Sequence, residues 1–95
     1  MKVKVQYLGF IRNLIKRSQD EFELATGASI SIVLDKIAGL YGRPFKKEFY
    51  EPGLKDVKMG FAVTVNGILM GQLQGVDTRL NEGDSIILMS LMSGG

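Results

Sequence analysis

One long amphipathic helix pattern stands between two groups of strand patterns, and this arrangement constrains the fold more than any other feature of the sequence. Apolar residues recur at helical spacing over residues 30–41, at Ile30, Val33, Leu34, Ile37 and Tyr41. A helix with one apolar stripe must bury that stripe against another layer. Ser29 is a candidate N-cap whose side chain can accept from an amide of the first turn, and Gly42 suits a left-handed C-cap.

Two alternating patterns precede this helix. In residues 2–8 and again in residues 20–24, every second residue is apolar, which predicts strands with one buried face. Between them, the apolar residues of 10–15 recur at helical spacing and predict a short helical turn before a basic pair. The N-terminal part of the chain therefore predicts a strand, a helical turn and a second strand.

Two longer strand patterns and a hairpin follow the helix. Residues 61–65 alternate, and Asn66 with Gly67 forms a turn signal before a short return strand at 68–70. Residues 80–84 form a loop, and residues 85–91 form a final strand rich in apolar residues. The stretch in front of these strands, residues 43–58, predicts only a short helix and a loop.

This order predicts an α+β protein with the β-grasp, ubiquitin-like arrangement. A hairpin, a helical crossover and a last strand inserted beside the first give a mixed four- to five-stranded sheet packed on one main helix. We expect one β-grasp domain over residues 1–91 and a flexible Gly-Gly tail over residues 92–95. The predicted core consists of Val3, Val5, Tyr7, Phe22, Leu24, Val33, Leu34, Ile37, Val63, Val65, Ile86 and Leu88.

The composition excludes several classes of catalytic and structural site. The chain has no cysteine and no histidine, which removes disulfides, thiolate nucleophiles, the commonest zinc ligands and the usual general base near neutral pH. We therefore expect no metal site and no enzyme with its own catalytic side chains. A net charge of +2 argues against nucleic acid as a partner, and the absence of a long apolar run argues against a membrane span and favours a cytoplasmic protein.

The C-terminal residues Met92, Ser93, Gly94 and Gly95 carry the best candidate for chemistry. They follow the last strand directly, and from Ser90 onward an extended chain of this length reaches roughly 20 Å. Glycine lets the backbone enter a cleft that a Cβ would block. A free carboxylate is a poor electrophile, so a partner enzyme must convert that of Gly95 to an acyl adenylate with ATP before a nucleophile can attack.

A partner must also recognise the domain, because glycines alone carry little specificity. Strand alternation directs some residues of the last two long strands away from the helix, and with the root of the tail they form a predicted partner-binding surface of Ala62, Thr64, Ile87, Met89 and Leu91. The competing interpretation is that these are scattered surface residues, or that residues 43–60 cover them.

Five segments of the sequence resemble the small subunit of molybdopterin synthase and the wider group of ubiquitin-like sulfur carriers and archaeal small modifier proteins. They are VKVQYLGFIRNL, GASISIVLDKIAGLYG, VTVNG, DTRLNEGDSIILMSL and the final SGG. The resemblance implies that a ubiquitin-activating-type adenylyltransferase activates Gly95, and that a persulfide donor then converts it to a thiocarboxylate. The synthase large subunit would pass the sulfur to a cyclic pyranopterin precursor of the molybdenum or tungsten cofactor.

The resemblance leaves the fate of the activated terminus open. The family often has proline just before the glycines, where this chain has Ser90, Leu91 and Met92. In a protein modifier, a lysine amine of a target protein would attack the same activated Gly95 and form an isopeptide bond. A third possibility is a β-grasp interaction domain that is never activated. All three predict that the chain itself binds no cofactor, and in the first two ATP belongs to the activating enzyme.

Overall fold

The computed structural model describes residues 1–91, which form a five-stranded sheet, three helices and two short 3-10 turns. The elements are β1 (Lys2–Leu8), α1 (Phe10–Ile15), β2 (Gln19–Glu23), α2 (Ile30–Tyr41), α3 (Arg43–Glu48), β3 (Phe61–Val65), β4 (Ile68–Leu69) and β5 (Ser85–Ser90), with the 3-10 turns at Met70–Gln72 and Gly75–Asp77.

The sheet is mixed, with the strand order β2-β1-β5-β3-β4. β5 lies at its centre, parallel to β1 and antiparallel to β3, so that Ile86 pairs with Val5 on one side and with Val65 on the other. β2 and β4 form the two edges, each antiparallel to its neighbour. This is the predicted β-grasp arrangement, with the last strand inserted beside the first.

The core lies between the sheet and α2, as the periodicity predicts. All twelve predicted core residues are buried, and Val33, Leu34 and Ile37 of α2 have no exposed surface. The core also includes aromatic residues that were not predicted. Phe45 and Phe49 stack at 5.2 Å between ring centroids, and Phe49 lies 4.8 Å from the ring of Phe61. Residues 43–50 therefore pack as part of the core rather than as a loose connection.

The ends of α2 differ in detail from the prediction. Ser29 occupies the N-cap position, but its side chain makes no capping bond and lies 2.7 Å from the Ser31 hydroxyl. The amide of Ile32, a usual donor to an N-cap side chain, donates to the backbone carbonyl of Ser29 at 3.1 Å, and the amide of Ile30 donates to the carbonyl of Thr78 at 3.0 Å. Gly42 has a positive φ of 71° as expected, but its ψ of −147° is not that of a left-handed helical residue. α3 begins directly after it, because that ψ turns the chain into a new helix.

Element boundaries deviate by one residue from the sequence patterns. β2 begins at Gln19 and ends at Glu23, β4 ends at Leu69, and β5 ends at Ser90. The hairpin turn agrees with the prediction, since Asn66 and Gly67 both have positive φ, at 51° and 85°. Both values match the type I′ turn that Asn-Gly favours.

The direction of the strands gives the molecule two distinct ends. β1 and β5 are parallel, so both finish at the same end of the sheet, which we call the tail end. α1 connects β1 to β2 at this end. α3 follows α2 directly in the chain and contacts it. Within residues 1–91, no helix is long and apolar enough to cross a bilayer.

Candidate functional site

The root of the C-terminal tail is fixed by backbone pairing on the β3 side. Ser90, the last residue of β5, pairs with Phe61, and the amide of Leu91 then donates to the carbonyl of Gly60 at 2.7 Å. β5 lies at the centre of the sheet and is paired up to its final residue. The sheet therefore fixes where β5 ends and the direction in which the chain leaves the domain. The predicted tail, with the reactive carboxylate assigned to Gly95, lies outside the described residues.

The sheet face opposite α2 brings the predicted partner-binding residues together. Across the strands, Ile87 pairs with Gln6 and Thr64, and Thr64 pairs with Leu69. In the next row, Met89 pairs with Leu8 and Ala62. Side chains in successive rows of one face are neighbours, so these residues form a continuous surface that we call the outer face.

The residues of the outer face are not equally accessible. Ala62 and Thr64 are 8% and 6% exposed, and their short side chains lie opposite the larger, half-buried Met89 and Ile87. The prediction that they offer exposed contacts is therefore wrong in its detail, since both side chains are buried within the outer face. Leu91 is 64% exposed and lies where the tail begins.

Several exposed apolar residues beside this surface were not predicted. Leu8 and Leu69 are 42% and 45% exposed and extend the outer face to either side. Phe10 is 48% exposed at the start of α1, and Met59 is 98% exposed just before β3. Alternation along β1 places Leu8 on the outer face and could have identified it. Phe10 and Met59 needed the tertiary structure, because no local pattern places them beside the tail.

Residues 43–60 do not cover the outer face, in contrast to the competing interpretation. Phe49 packs against Phe61, which shares the α2 side of β3 with Val63 by strand alternation. The segment therefore lies on the helix side of the sheet. Ile87 and Met89 lie on the opposite side of the sheet from this segment.

One polar atom in the outer face has no partner within residues 1–91. The hydroxyl oxygen of Thr64 is buried and makes no hydrogen bond to any described residue. It lies in the row between Ile87 and Leu69. A buried polar group without a partner costs about 1–3 kcal/mol, so Thr64 is a local weakness of the domain.

A buried polar network near the tail end is structural rather than catalytic. The hydroxyl groups of Tyr7 and Tyr41 both donate to Oδ2 of Asp20, at 2.8 and 2.5 Å, and Arg17 pairs with Oδ1 at 2.9 Å. Burial and the bonds to Asp20 raise the pKa of Tyr41 to about 12 and raise that of Tyr7 further. The network joins α2 to β1 and β2 and contains no nucleophile poised for reaction.

The described side chains offer no preformed metal or catalytic centre. Within residues 1–91 no group of three or more carboxylates is placed to hold a metal ion. An open groove lies away from the tail end, between the start of α2 and residues 74–79, and its charged lining is Glu23, Lys36, Asp77 and Arg79. Two cations and two carboxylates on an open surface do not form an acid-base pair, so the tail remains the best candidate for chemistry.

Solved structures with the same fold include several small carrier and modifier proteins. A putative molybdopterin converting factor subunit 1 from Pyrococcus furiosus is 26% identical, with a TM-score of 0.72 over 97% of this chain and 99% of that one. Urm1 from Trypanosoma brucei is 20% identical, with a TM-score of 0.79 over 99% and 95%. SAMP1 from Haloferax volcanii is 16% identical, with a TM-score of 0.78 over all of both chains.

The family comparison covers nearly the whole sequence. No curated protein sequence matches the chain significantly. The model of the ThiS family matches residues 5–95, a range that begins within β1 and includes the central strand β5 and the two final glycines. Three observations agree with one another: the order of the strands, the pairing of the tail root beside β3 and the family match over residues 5–95. The chain therefore belongs to the ThiS family and has the fold of the ubiquitin-like sulfur carriers.

Proposed function

We propose that this protein carries sulfur as a thiocarboxylate on Gly95 for the synthesis of molybdopterin. The observation that carries the proposal is the position of β5, which is paired on both sides and releases the chain at Leu91, four residues before Gly95. The family match through residue 95 supports it, as does the likeness to the Pyrococcus converting factor subunit at 26% identity.

The proposed chemistry converts the terminal carboxylate to a thiocarboxylate in three steps. A carboxylate oxygen of Gly95 attacks the α-phosphorus of ATP, which forms the acyl adenylate and releases pyrophosphate. A persulfide sulfur of the donor protein then attacks the acyl carbon and displaces AMP. A thiol finally cleaves the sulfur–sulfur bond by forming a disulfide with the donor, which leaves the thiocarboxylate on the carrier. The activating enzyme and the donor supply all the catalytic groups, and the need for ATP favours the cytoplasm as the site of the reaction.

The outer face is proposed to bind both the activating enzyme and the synthase large subunit. Ile87 and Met89 lie at its centre, and Leu91 adjoins the tail. An apolar centre that excludes water carries most of the binding energy of an interface, and methionine adapts to more than one partner. The same face can therefore serve successive partners, one at a time.

Intact mass spectrometry of the protein from its native cell tests the proposed function. A carrier gains one sulfur in place of one oxygen, and this change maps to the C-terminal peptide. ATP-dependent adenylate formation with the activating enzyme of the same cell gives a second readout. Deletion of Gly95 should abolish both while leaving the domain folded, since a terminal residue contributes few buried contacts.

The same experiment distinguishes the alternatives. Covalent conjugates that end in an isopeptide bond between Gly95 and a lysine would identify a protein modifier instead. An unmodified terminus, together with normal adenylate formation by the protein that lacks Gly95, would contradict both activated functions and favour a simple interaction domain.

A further inference from the structure

Basic side chains are concentrated at the tail end of the domain. α1 and the two residues after it carry Arg12, Lys16 and Arg17 without an acidic residue, and α3 carries Arg43, Lys46 and Lys47. The net charge of the whole chain is only +2, so a concentration of cations at one end means that the other end is more acidic.

The two basic helices lie on either side of the tail root. The amide of Phe10, the first residue of α1, contacts the Ser90 hydroxyl at 3.4 Å. On the other side, Lys58 Nζ donates to the carbonyl of Lys47 at 2.8 Å, and the carbonyl of Gly60, two residues further on, accepts from Leu91. The cations of α1 and α3, together with Lys58, therefore belong to elements that adjoin the point where the chain leaves, and we call them the basic collar.

Acidic residues only partly offset this charge. Asp20 pairs with Arg17 and accepts from two tyrosines, which leaves Arg12 and Lys16 as the exposed cations of α1. Glu48 and Glu51 accompany the cations of α3.

The other end of the sheet carries carboxylates beside the cations of Lys2 and Lys4 rather than an excess of cations. Glu23, Glu82 and Asp84 lie there, since Glu82 accepts from the amide of Lys2 and Asp84 holds the hairpin turn. The N-terminal ammonium pairs with Glu23 at 3.0 Å. The positive end of the domain is therefore the end at which the tail leaves.

The basic collar encloses apolar side chains that are unusually accessible. Phe10 is 48% exposed, Leu91 64% and Met59 98%. Phe10 precedes Arg12 by two residues, and Met59 follows Lys58 directly. An apolar centre with a charged rim is the anatomy of a protein interface, whereas a merely solvated charged surface does not require exposed aromatic rings.

The length of the tail decides where these cations can act. The four residues 92–95 span at most about 14 Å when extended, whereas the Debye length at physiological ionic strength is about 8 Å. Cations at the root are therefore largely screened from a carboxylate and a triphosphate at the far end of an extended tail. They can therefore attract only the partner's surface around the entrance of the cleft that binds the tail.

We propose that the basic collar docks on an acidic rim at the mouth of the activating enzyme's cleft and steers the carrier tail-first. This inference rests on the proposed function, since it assigns a charge to that enzyme's surface. Complementary charge raises the association rate more than it changes the dissociation rate. A protein surface fits better than nucleic acid, because Glu48 and Glu51 interrupt the cations and the net charge of the chain is only +2.

Charge reversal with a matched control tests this inference. The triple variant Arg12→Glu, Lys16→Glu and Lys47→Glu changes exposed cations of both helices, and the control Lys2→Glu, Lys36→Glu and Arg79→Glu makes the same charge change elsewhere. Stopped-flow association with the activating enzyme should slow by about tenfold or more for the collar variant, with a flatter salt dependence. The control should remain within about twofold, since charges distant from the docking surface are screened.

The outcomes separate this inference from the proposed function. The triple alanine variant at the same collar positions repeats the test if charge reversal prevents folding. An unchanged association rate in both collar variants, with normal adenylation of the wild-type protein, overturns the acidic rim and leaves the carrier function standing. Failure of the wild-type protein to be adenylated overturns both. Tighter binding of a labelled oligouridylate than of the enzyme at physiological salt, lost in the collar variants, would assign the collar to nucleic acid instead.

Discussion

An added Cβ on Gly9 would lie 2.7 Å from the side-chain oxygen of Ser90. Gly9 precedes α1, and Ser90 ends β5, so this contact fits the start of a helix directly against the end of the central strand. Gly9 also has a positive φ of 67°, with a ψ of −139°. The backbone conformation therefore requires glycine beside the root of the tail, and an added Cβ would also force the Ser90 hydroxyl to move.

The change Gly9→Ala should destabilise the domain by about 1–3 kcal/mol, because it combines backbone strain with a steric conflict. Urea denaturation measures the change in the free energy of unfolding. Gly39→Ala is the matched control, since Gly39 is helical and a Cβ added there would meet no heavy atom within 4 Å. That change should be neutral or stabilising by up to about 1 kcal/mol. Equal effects at the two positions would contradict the close fit of Gly9 to Ser90.

Sequence periodicity was sufficient for the fold because most of the elements are amphipathic. β1 and α2 each have one buried face, and their patterns predicted both the elements and the core residues. The side-chain cap by Ser29 was mispredicted because the amide of Ile32 donates to the backbone carbonyl of Ser29, and the Ser29 hydroxyl pairs with that of Ser31 instead.

Leu34→Ala should cost about 2–5 kcal/mol, because a fully buried leucine leaves a cavity between α2 and the sheet. Leu40 lies on the same helix and is 62% exposed, so Leu40→Ala makes the same chemical change without a cavity. We expect that control to change stability by less than about 0.5 kcal/mol. A loss of only a few tenths of a kcal/mol for Leu34→Ala would mean that α2 does not pack as described.

The stability of the domain should fall as the pH rises above about 10, the ordinary pKa of tyrosine. Burial, with the bonds to Asp20, raises the pKa of Tyr41 to about 12 and raises that of Tyr7, and burial raises the pKa of Tyr50. The unfolded chain therefore releases phenolic protons that the folded domain retains, and stability present below pH 10 is lost above it.

Tyrosinate absorbance and urea denaturation across pH 9–12 measure this effect. In the variant Asp20→Asn, the two phenols lose the carboxylate that accepts their protons, so absorbance should rise at a lower pH than in the wild-type protein. A wild-type titration centred at the ordinary tyrosine value would contradict the network. Tyr50, whose hydroxyl donates to the carbonyl of Leu54, serves as an internal control that the substitution should not change.

The candidate site was predictable only in part. Alternation placed Ile87 and Met89 on the outer face correctly, since it depends on the backbone alone. It could not give the accessibility of Ala62 and Thr64, which depends on the size of neighbours on other strands. The exposure of Phe10 and Met59 beside the tail depends on loop packing and has no periodic signal.

Thr64→Val should leave stability unchanged or increase it by about 1 kcal/mol. The change replaces a buried hydroxyl that has no partner among residues 1–91 with a methyl group of similar size. Thr78→Val is the control, because the Thr78 hydroxyl donates to the Gly75 carbonyl at 2.7 Å and accepts from the Gln74 amide. That change should destabilise by about 1–3 kcal/mol. Destabilisation by Thr64→Val would reveal a partner for its hydroxyl.

Ile87→Asp should weaken binding to both the activating enzyme and the synthase large subunit by about tenfold or more, because it places a charge in a desolvated contact. Ile87 is half-buried, so we also expect a stability loss of about 1–2 kcal/mol, which a domain of this size tolerates. Leu40→Asp is the matched control on exposed α2 surface, and it should bind both partners normally. Titration of each folded variant by calorimetry gives the affinities. Unchanged affinity of Ile87→Asp for both partners would place recognition outside the outer face.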